Sequence, residues 1–141
     1  MKTAITILIC RLLRFAGSLL GRGSSLPGEI ALKLCPDILS RVRLPRTVIA
    51  VTGSNGKTST VEMIAHILTS AGKSFAYNRE GSNQIEGVTA LILCSCTLSG
   101  RFRKDILLIE SDERYAKHTF KYVKPTHYVI TNLYRDQLTR N

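Results

Sequence analysis

The sequence predicts an α/β fold: a parallel sheet with a P-loop, preceded by an N-terminal helical segment. Three observations predict it. Apolar, β-branched runs alternate with helical patterns from Thr47 onward, in the order strand, helix, strand, helix, strand, helix, strand. That order calls for crossovers between parallel strands, right-handed by the usual rule. The stretch GSNGKTST, Gly53 to Thr60, lies between one such strand and one such helix. Finally, polar clusters follow the strand ends at Gly53–Thr58, Asn78–Asn83, Glu110–Glu113 and Asn132–Gln137. In an open α/β sheet those ends share one rim, and ligands bind there.

Taken in order, residues 3–20 carry Ile5, Leu8, Leu12, Ala16 and Leu19 at helical spacing, with Arg11 and Arg14 placed to snorkel. The run is too short and too charged to span a bilayer, and its flanks do not suit a cleaved signal. A helix packed on the domain is one reading; an amphipathic helix on anionic lipid, or a targeting segment, are the others. Gly21 to Glu29 is a loop by composition, and Pro27 opens a helix that runs to about Leu34. Pro36 and Pro45 bracket a short helical or irregular piece, so a helical lead-in occupies 1–46 and the sheet domain 47–141.

Thr47 to Val51 is a buried parallel strand. Val61, Ile64, Ala65 and Leu68 give the next helix its apolar face, and Gly72 ends it. Ser74 to Tyr77 is a short second strand, followed by the turn-prone NREGSN. Residues 84–97 form an apolar helix interrupted by Gly87, and Gly100 to Lys104 a basic turn. Asp105 to Glu110 is a buried strand ending on a carboxylate. Ser111-Asp112-Glu113 then caps a helix to about Val123, stopped by Pro125. His127 to Thr131 is the last strand, and LYRDQLTRN opens a further helix.

An apolar fraction of 44% excludes a disordered chain, and 141 residues suffice for one modest core. Net charge is +10, concentrated toward the start: residues 1–46 hold eight Lys/Arg against two acids. The balance points to an anionic partner, either a membrane surface or a phosphorylated substrate. With 6% aromatics and no basic–aromatic motif, the chain is not expected to bind nucleic acid. Cys10, Cys35, Cys94 and Cys96 lack the spacing of a zinc site or disulfide framework, which suits buried thiols in a reducing cytoplasm. Cys94 and Cys96 are spaced to share one face of a strand.

The chemistry gathers on the loop. Gly53 and Gly56 let the backbone bend and approach an anion, and the amides from Asn55 to Thr58 can then point inward. Lys57 adds a mobile charge, and Thr58 offers a hydroxyl to Mg²⁺. Glu110, at the end of a strand beside the loop, either holds Mg²⁺ or caps the next helix. Asn132 either positions nucleotide or substrate or caps a helix. His66, His118 and His127 are scattered and receive no catalytic role. The longer phosphate-loop pattern would have glycine at position 51, where Val51 stands.

VTGSNGKTST, NREGSN, LLIESDE and TNLYRDQL together resemble the central ATP-binding domain of the Mur ligase family, and more narrowly its MurT-type branch. The lead-in SSLPGEIALK is similar to that branch as well. The resemblance implies ATP-dependent activation of a carboxylate as an acyl phosphate, followed by amide formation in peptidoglycan synthesis. For the MurT-type branch it implies the D-glutamate carboxylate of lipid II as acceptor and a GatD-type glutaminase as ammonia source. Carried over, Gly53, Ser54, Asn55, Gly56, Lys57, Thr58 and Ser59 hold ATP, Thr58 and Glu110 serve Mg²⁺, and Lys57 and Glu110 are catalytic. Asn132 then lies at the nucleotide or substrate edge. The implied location is cytoplasmic, at the inner membrane face if the first helix meets lipid.

Amino-acid-adding Mur ligases carry His where Gln137 stands, and the family has a second acid where Thr139 stands. The family pattern continues past Asn141, so the chain is expected to be a fragment, inactive by itself. The alternatives are an amino-acid-adding Mur ligase, a folylpolyglutamate-type ligase, or a non-catalytic nucleotide-binding fragment.

Overall fold

The computed structural model of this protein describes residues 1–19, 25–78, 84–112 and 116–133. Helices α1 (Lys2–Leu19) and α2 (Leu26–Leu34) and a 3-10 turn (Ile38–Arg41) precede β1 (Thr47–Thr52). Then follow α3 (Lys57–Ser70), β2 (Phe75–Tyr77), α4 (Ile85–Ser95), β3 (Ile106–Glu110), α5 (Ala116–Tyr122) and β4 (His127–Ile130). The strands form one four-stranded sheet in the order β2-β3-β1-β4, with every pairing parallel. The expected α/β class and parallel sheet are therefore present.

Alternation along each strand divides the apolar side chains between two faces. Val48, Ala50, Leu107 and Ile109 join α1, α2 and α4 in one core cluster, with Val123 after α5. Val51 and Leu108 face the other way, onto Val61 and Ala65 of α3, with Ile64 packed beside them. Glu110 shares the parity of Leu108 and so falls on the α3 face. The register pairs Glu110 with Val51, one residue before β1 ends.

The first helix forms and packs on α2 and α4, but through the side opposite to the expected stripe. Thr6, Ile7 and Cys10 are buried, while Ile5, Leu8 and Leu12 are exposed. Thr6 can be buried because its hydroxyl donates to the Lys2 carbonyl at 2.9 Å. Arg11 does not snorkel outward: its guanidinium donates to the Cys96 carbonyl, satisfying an acceptor at the end of α4.

Three smaller expectations are corrected. Gly87 does not interrupt α4; it is buried within the helix. Cys94 lies in α4 and Cys96 caps it, so the two share no strand face. The basic turn is shifted: Gly100, at φ 82°, closes it, and Arg101 and Phe102 form bridges to Arg43 and Cys96. The N-terminal segment meets α4 closely at Gly28, where an added Cβ would lie 1.8 Å from the Glu86 carbonyl oxygen.

Candidate functional site

The loop from Gly53 to Gly56 joins the end of β1 to α3, as the flanking patterns predict. Both glycines have positive φ, 135° and 78°. Their reasons differ. At Gly53 a Cβ would stand 2.2 Å from Thr131 Oγ1 and 2.8 Å from the Asn132 carbonyl oxygen. At Gly56, the N-cap of α3, a Cβ would meet nothing within 4 Å. One glycine thus lets the segment after β4 press on the loop; the other sets a left-handed turn on an open side.

Lys57 begins α3, and its ammonium donates to the Gly53 carbonyl and, at 3.3 Å, to the Ser54 carbonyl. The amine thereby arches over the loop. Thr58 follows on the same first turn, and its hydroxyl donates to Glu110 Oε1 at 3.2 Å. Thr58 is exposed and Glu110 is 3% exposed, so the carboxylate meets the surface beneath the helix start. Ser59 is exposed in the same turn. Thr58 and Ser59 N–H groups lie in the first turn, where an α-helix supplies no internal acceptor.

Asn55 is held differently from the expectation. Its N–H donates to Asn132 Oδ1 at 3.0 Å, and its carbonyl accepts from Asn132 Nδ2 at 2.9 Å. Thr131 Oγ1 also donates to the Asn55 carbonyl, at 2.7 Å, and the Ser54 N–H donates to the Asn132 carbonyl at 3.3 Å. The Asn55 amide is therefore committed to Asn132 rather than pointing into an anion cradle. Asn132 braces the loop from the next strand end.

Asn78 was legible only as the head of a polar turn. It does more. Asn78 Oδ1 accepts from the Glu110 N–H at 2.9 Å, and Nδ2 donates to the Glu110 carbonyl at 3.2 Å. A side-chain amide just past an edge strand carries the donor and acceptor needed to continue a ladder, and that was the available signal. Thr52 adds a buried tie, donating to the Ser111 carbonyl at 2.8 Å.

Lys57, Thr58 and Glu110 are thus brought together with Gly53 to Gly56, and Asn132 joins them through Asn55. His66 and His127 are exposed away from this cluster. The expected motif residues 79–83, 113–115 and 134–141, including Gln137 and Thr139, lie outside the described residues. The arrangement suits a magnesium–nucleotide. A hydroxyl and a carboxylate are hard oxygen donors, and Mg²⁺ completes its shell with phosphate oxygens and water. The open side at Gly56 leaves room for phosphate beside the helix start.

The Mur ligase middle domain family matches residues 51–139. The chain is 36% identical, over 99% of its length, to the lipid II isoglutaminyl synthase (glutamine-hydrolyzing) subunit MurT of Streptococcus pneumoniae. It is 34% identical, again over 99%, to the subunit of the same name from Staphylococcus aureus. Similarity to the UDP-N-acetylmuramate–L-alanine ligase of Bifidobacterium longum is 35% over 72% of the chain. The chain spans about a third of the MurT relatives, 31% and 32% of their lengths. By the match over residues 51–139, the chain belongs to the Mur ligase family through the middle domain.

Proposed function

We propose that this chain supplies the ATP-binding part of an amide-forming carbon–nitrogen ligase of peptidoglycan synthesis, of the MurT type. The observation that carries the reading is the Thr58 hydroxyl set 3.2 Å from the buried Glu110 carboxylate, beside the lysine arch. In this reading 1–46 is a helical lead-in and 47–141 the ATP-binding part. The loop Gly53 to Ser59 holds the phosphates, with Lys57 as their counter-charge. Thr58 and Glu110 hold Mg²⁺, and Asn132 keeps the loop in position through Asn55. Bound Mg-ATP supplies the phosphoryl group that activates a carboxylate. The protein's share of such chemistry is positioning and charge neutralisation rather than covalent work.

The acceptor in this reading is lipid II or a related precursor. The ammonia source is a glutaminase subunit of the GatD type, and the setting is the cytoplasm, at the inner membrane face if the exposed side of α1 meets lipid. Support comes from the relatives' names, which describe a glutamine-hydrolyzing lipid II enzyme and a subunit of it. Similarity to the amino-acid-adding relative covers less of the chain.

The matched region is about a third of those relatives, so the test is nucleotide binding, which the loop can carry alone. Mg-ATP titrated calorimetrically into the chain should bind, and Lys57→Ala should weaken binding by about tenfold or more. The melting temperature should stay nearly unchanged. Equal affinity in both proteins would overturn the assignment. Glu110→Gln should flatten the Mg²⁺ dependence of ATP binding, because the metal loses an anionic ligand. An unaltered Mg²⁺ titration would leave Glu110 with a structural role only.

A further inference from the structure

A second charged feature lies at the other end of the sheet. A cleft of about 1180 Å³ opens at the N-terminal ends of β1 and β3. Arg43, Arg46, Arg101, Arg103 and Lys104 line it, with Asp105 as the acid among its lining residues. Its construction follows from the chain. Arg43 and Arg101 form a parallel bridge, tied by the Arg43 N–H to the Gly100 carbonyl at 2.8 Å and the Phe102 N–H to the Arg43 carbonyl at 3.0 Å. Extended backbone alternates its side chains. Phe102 is buried, which turns Arg101 and Arg103 outward together; Val42 is buried, which turns Arg43 to the same open side.

Arg103 is steadied by donating to the Cys94 carbonyl at 3.2 Å. Arg43, Arg46, Arg101 and Lys104 form no salt bridge among the described residues. Five cations against one carboxylate leave an excess that a single carboxylate ligand would not balance, whereas a phosphate group carries about −1.5 to −2 and several acceptor oxygens. Four of the five are arginines, whose planar forks match phosphate oxygens in pairs. Phe102 is the aromatic residue of the lining and is buried, so the cleft offers no platform for stacked bases.

We propose that this cleft is a binding site for a phosphate-bearing ligand, separate from the loop at Gly53. The two are set apart by the length of β1, roughly 20 Å at about 3.3 Å per residue. The ligand is either a free phosphate or diphosphate ester, or the phosphate headgroup of an anionic lipid.

Inorganic pyrophosphate in magnesium-free buffer, titrated into the full chain, is the first arm. Co-sedimentation with phosphatidylglycerol vesicles, against phosphatidylcholine vesicles, is the second. The Arg43→Gln/Arg101→Gln protein should lose roughly tenfold or more in whichever arm shows binding. Main-chain pairing at these positions is untouched by the change. Arg46→Gln/Lys104→Gln, on the same cleft, should lose a comparable factor. Lys57→Ala should leave this binding intact, and both cleft variants should leave Mg-ATP affinity intact, which separates this site from the nucleotide reading. Binding of pyrophosphate identifies a free ester; binding of anionic vesicles alone identifies a headgroup. Absence of both, loss of binding in Lys57→Ala, or unchanged binding in the cleft variants would overturn the proposal.

Discussion

Two asparagines hold the rim in place of main chain. Asn78 pairs with both peptide groups of Glu110, and Asn132 with both of Asn55, across 32 and 77 residues of sequence. Asn78→Ala would leave a buried N–H and carbonyl at Glu110 without their partner, which costs about 1–3 kcal/mol. Urea unfolding should show that loss; an unchanged midpoint would mean the ladder end is satisfied otherwise. That Lys57, Thr58 and Glu110 lie together is legible because each position is fixed locally, two by a strand–turn–helix motif and one by parity at a strand end. The asparagine ties are not, since they depend on which strand ends become neighbours. A further residue-scale contact joins α1 to α4. Interaction with the Cys10 thiol, and then the charges of Arg14 and Arg11, hold the Cys94 thiol below its ordinary value, against the burial that raises it. A lowered value means more thiolate at neutral pH, so Cys94 should react with iodoacetamide at lower pH than an ordinary exposed cysteine. Cys10→Ala should move that profile upward, and identical profiles would remove Cys10 as its cause.

At the scale of elements, the strands were legible to within a residue or so because buried parallel strands are continuous apolar runs. The orientation of α1 was not. Periodicity selects the most apolar side, yet the side that docks carries Thr6, Ile7 and Cys10, with Arg11 drawn in to the α4 carboxyl end. The Thr6 hydroxyl bonded to Lys2 and the Arg11 guanidinium bonded to Cys96 allow that side to be buried. Glycines report the same tertiary demands. Gly56→Ala should cost only the left-handed penalty, about 1–2 kcal/mol, because nothing lies near its Cβ. Gly53→Ala adds a collision with Thr131 and Asn132 and should cost more, with loss of Mg-ATP binding. Gly28→Ala sets a Cβ against the main chain of Glu86, so α2 must retreat from α4, at about 3 kcal/mol or more. Thermal melts of the three variants give the ranking, and equal losses at Gly53 and Gly56 would refute the difference in cause.

Across the whole molecule, the charge balance has a thermodynamic consequence. Net charge is +10, and the salt bridges among the described residues include Lys33–Glu29 and Arg41–Asp37, exposed pairs four residues apart, each with N···O 2.7 Å. Exposed pairs of that kind contribute little to stability, because water and salt screen them. Like charges crowd most where Arg43, Arg46, Arg101, Arg103 and Lys104 line one cleft, and there repulsion opposes the compact state. An unfolded chain spreads the same charges apart, so screening favours the folded form. Shortening the Debye length from about 30 Å near 0.01 M salt to about 8 Å near 0.15 M should raise the melting temperature. A gain of about 1 kcal/mol corresponds to roughly 2–4 °C for a domain of this size. The Arg43→Gln/Arg101→Gln protein starts with less repulsion, so its melting temperature should depend less steeply on sodium chloride. A melting temperature that falls with salt, or an equal slope in both proteins, would show that attractive pairs govern the balance and that the cleft is not its main source of strain.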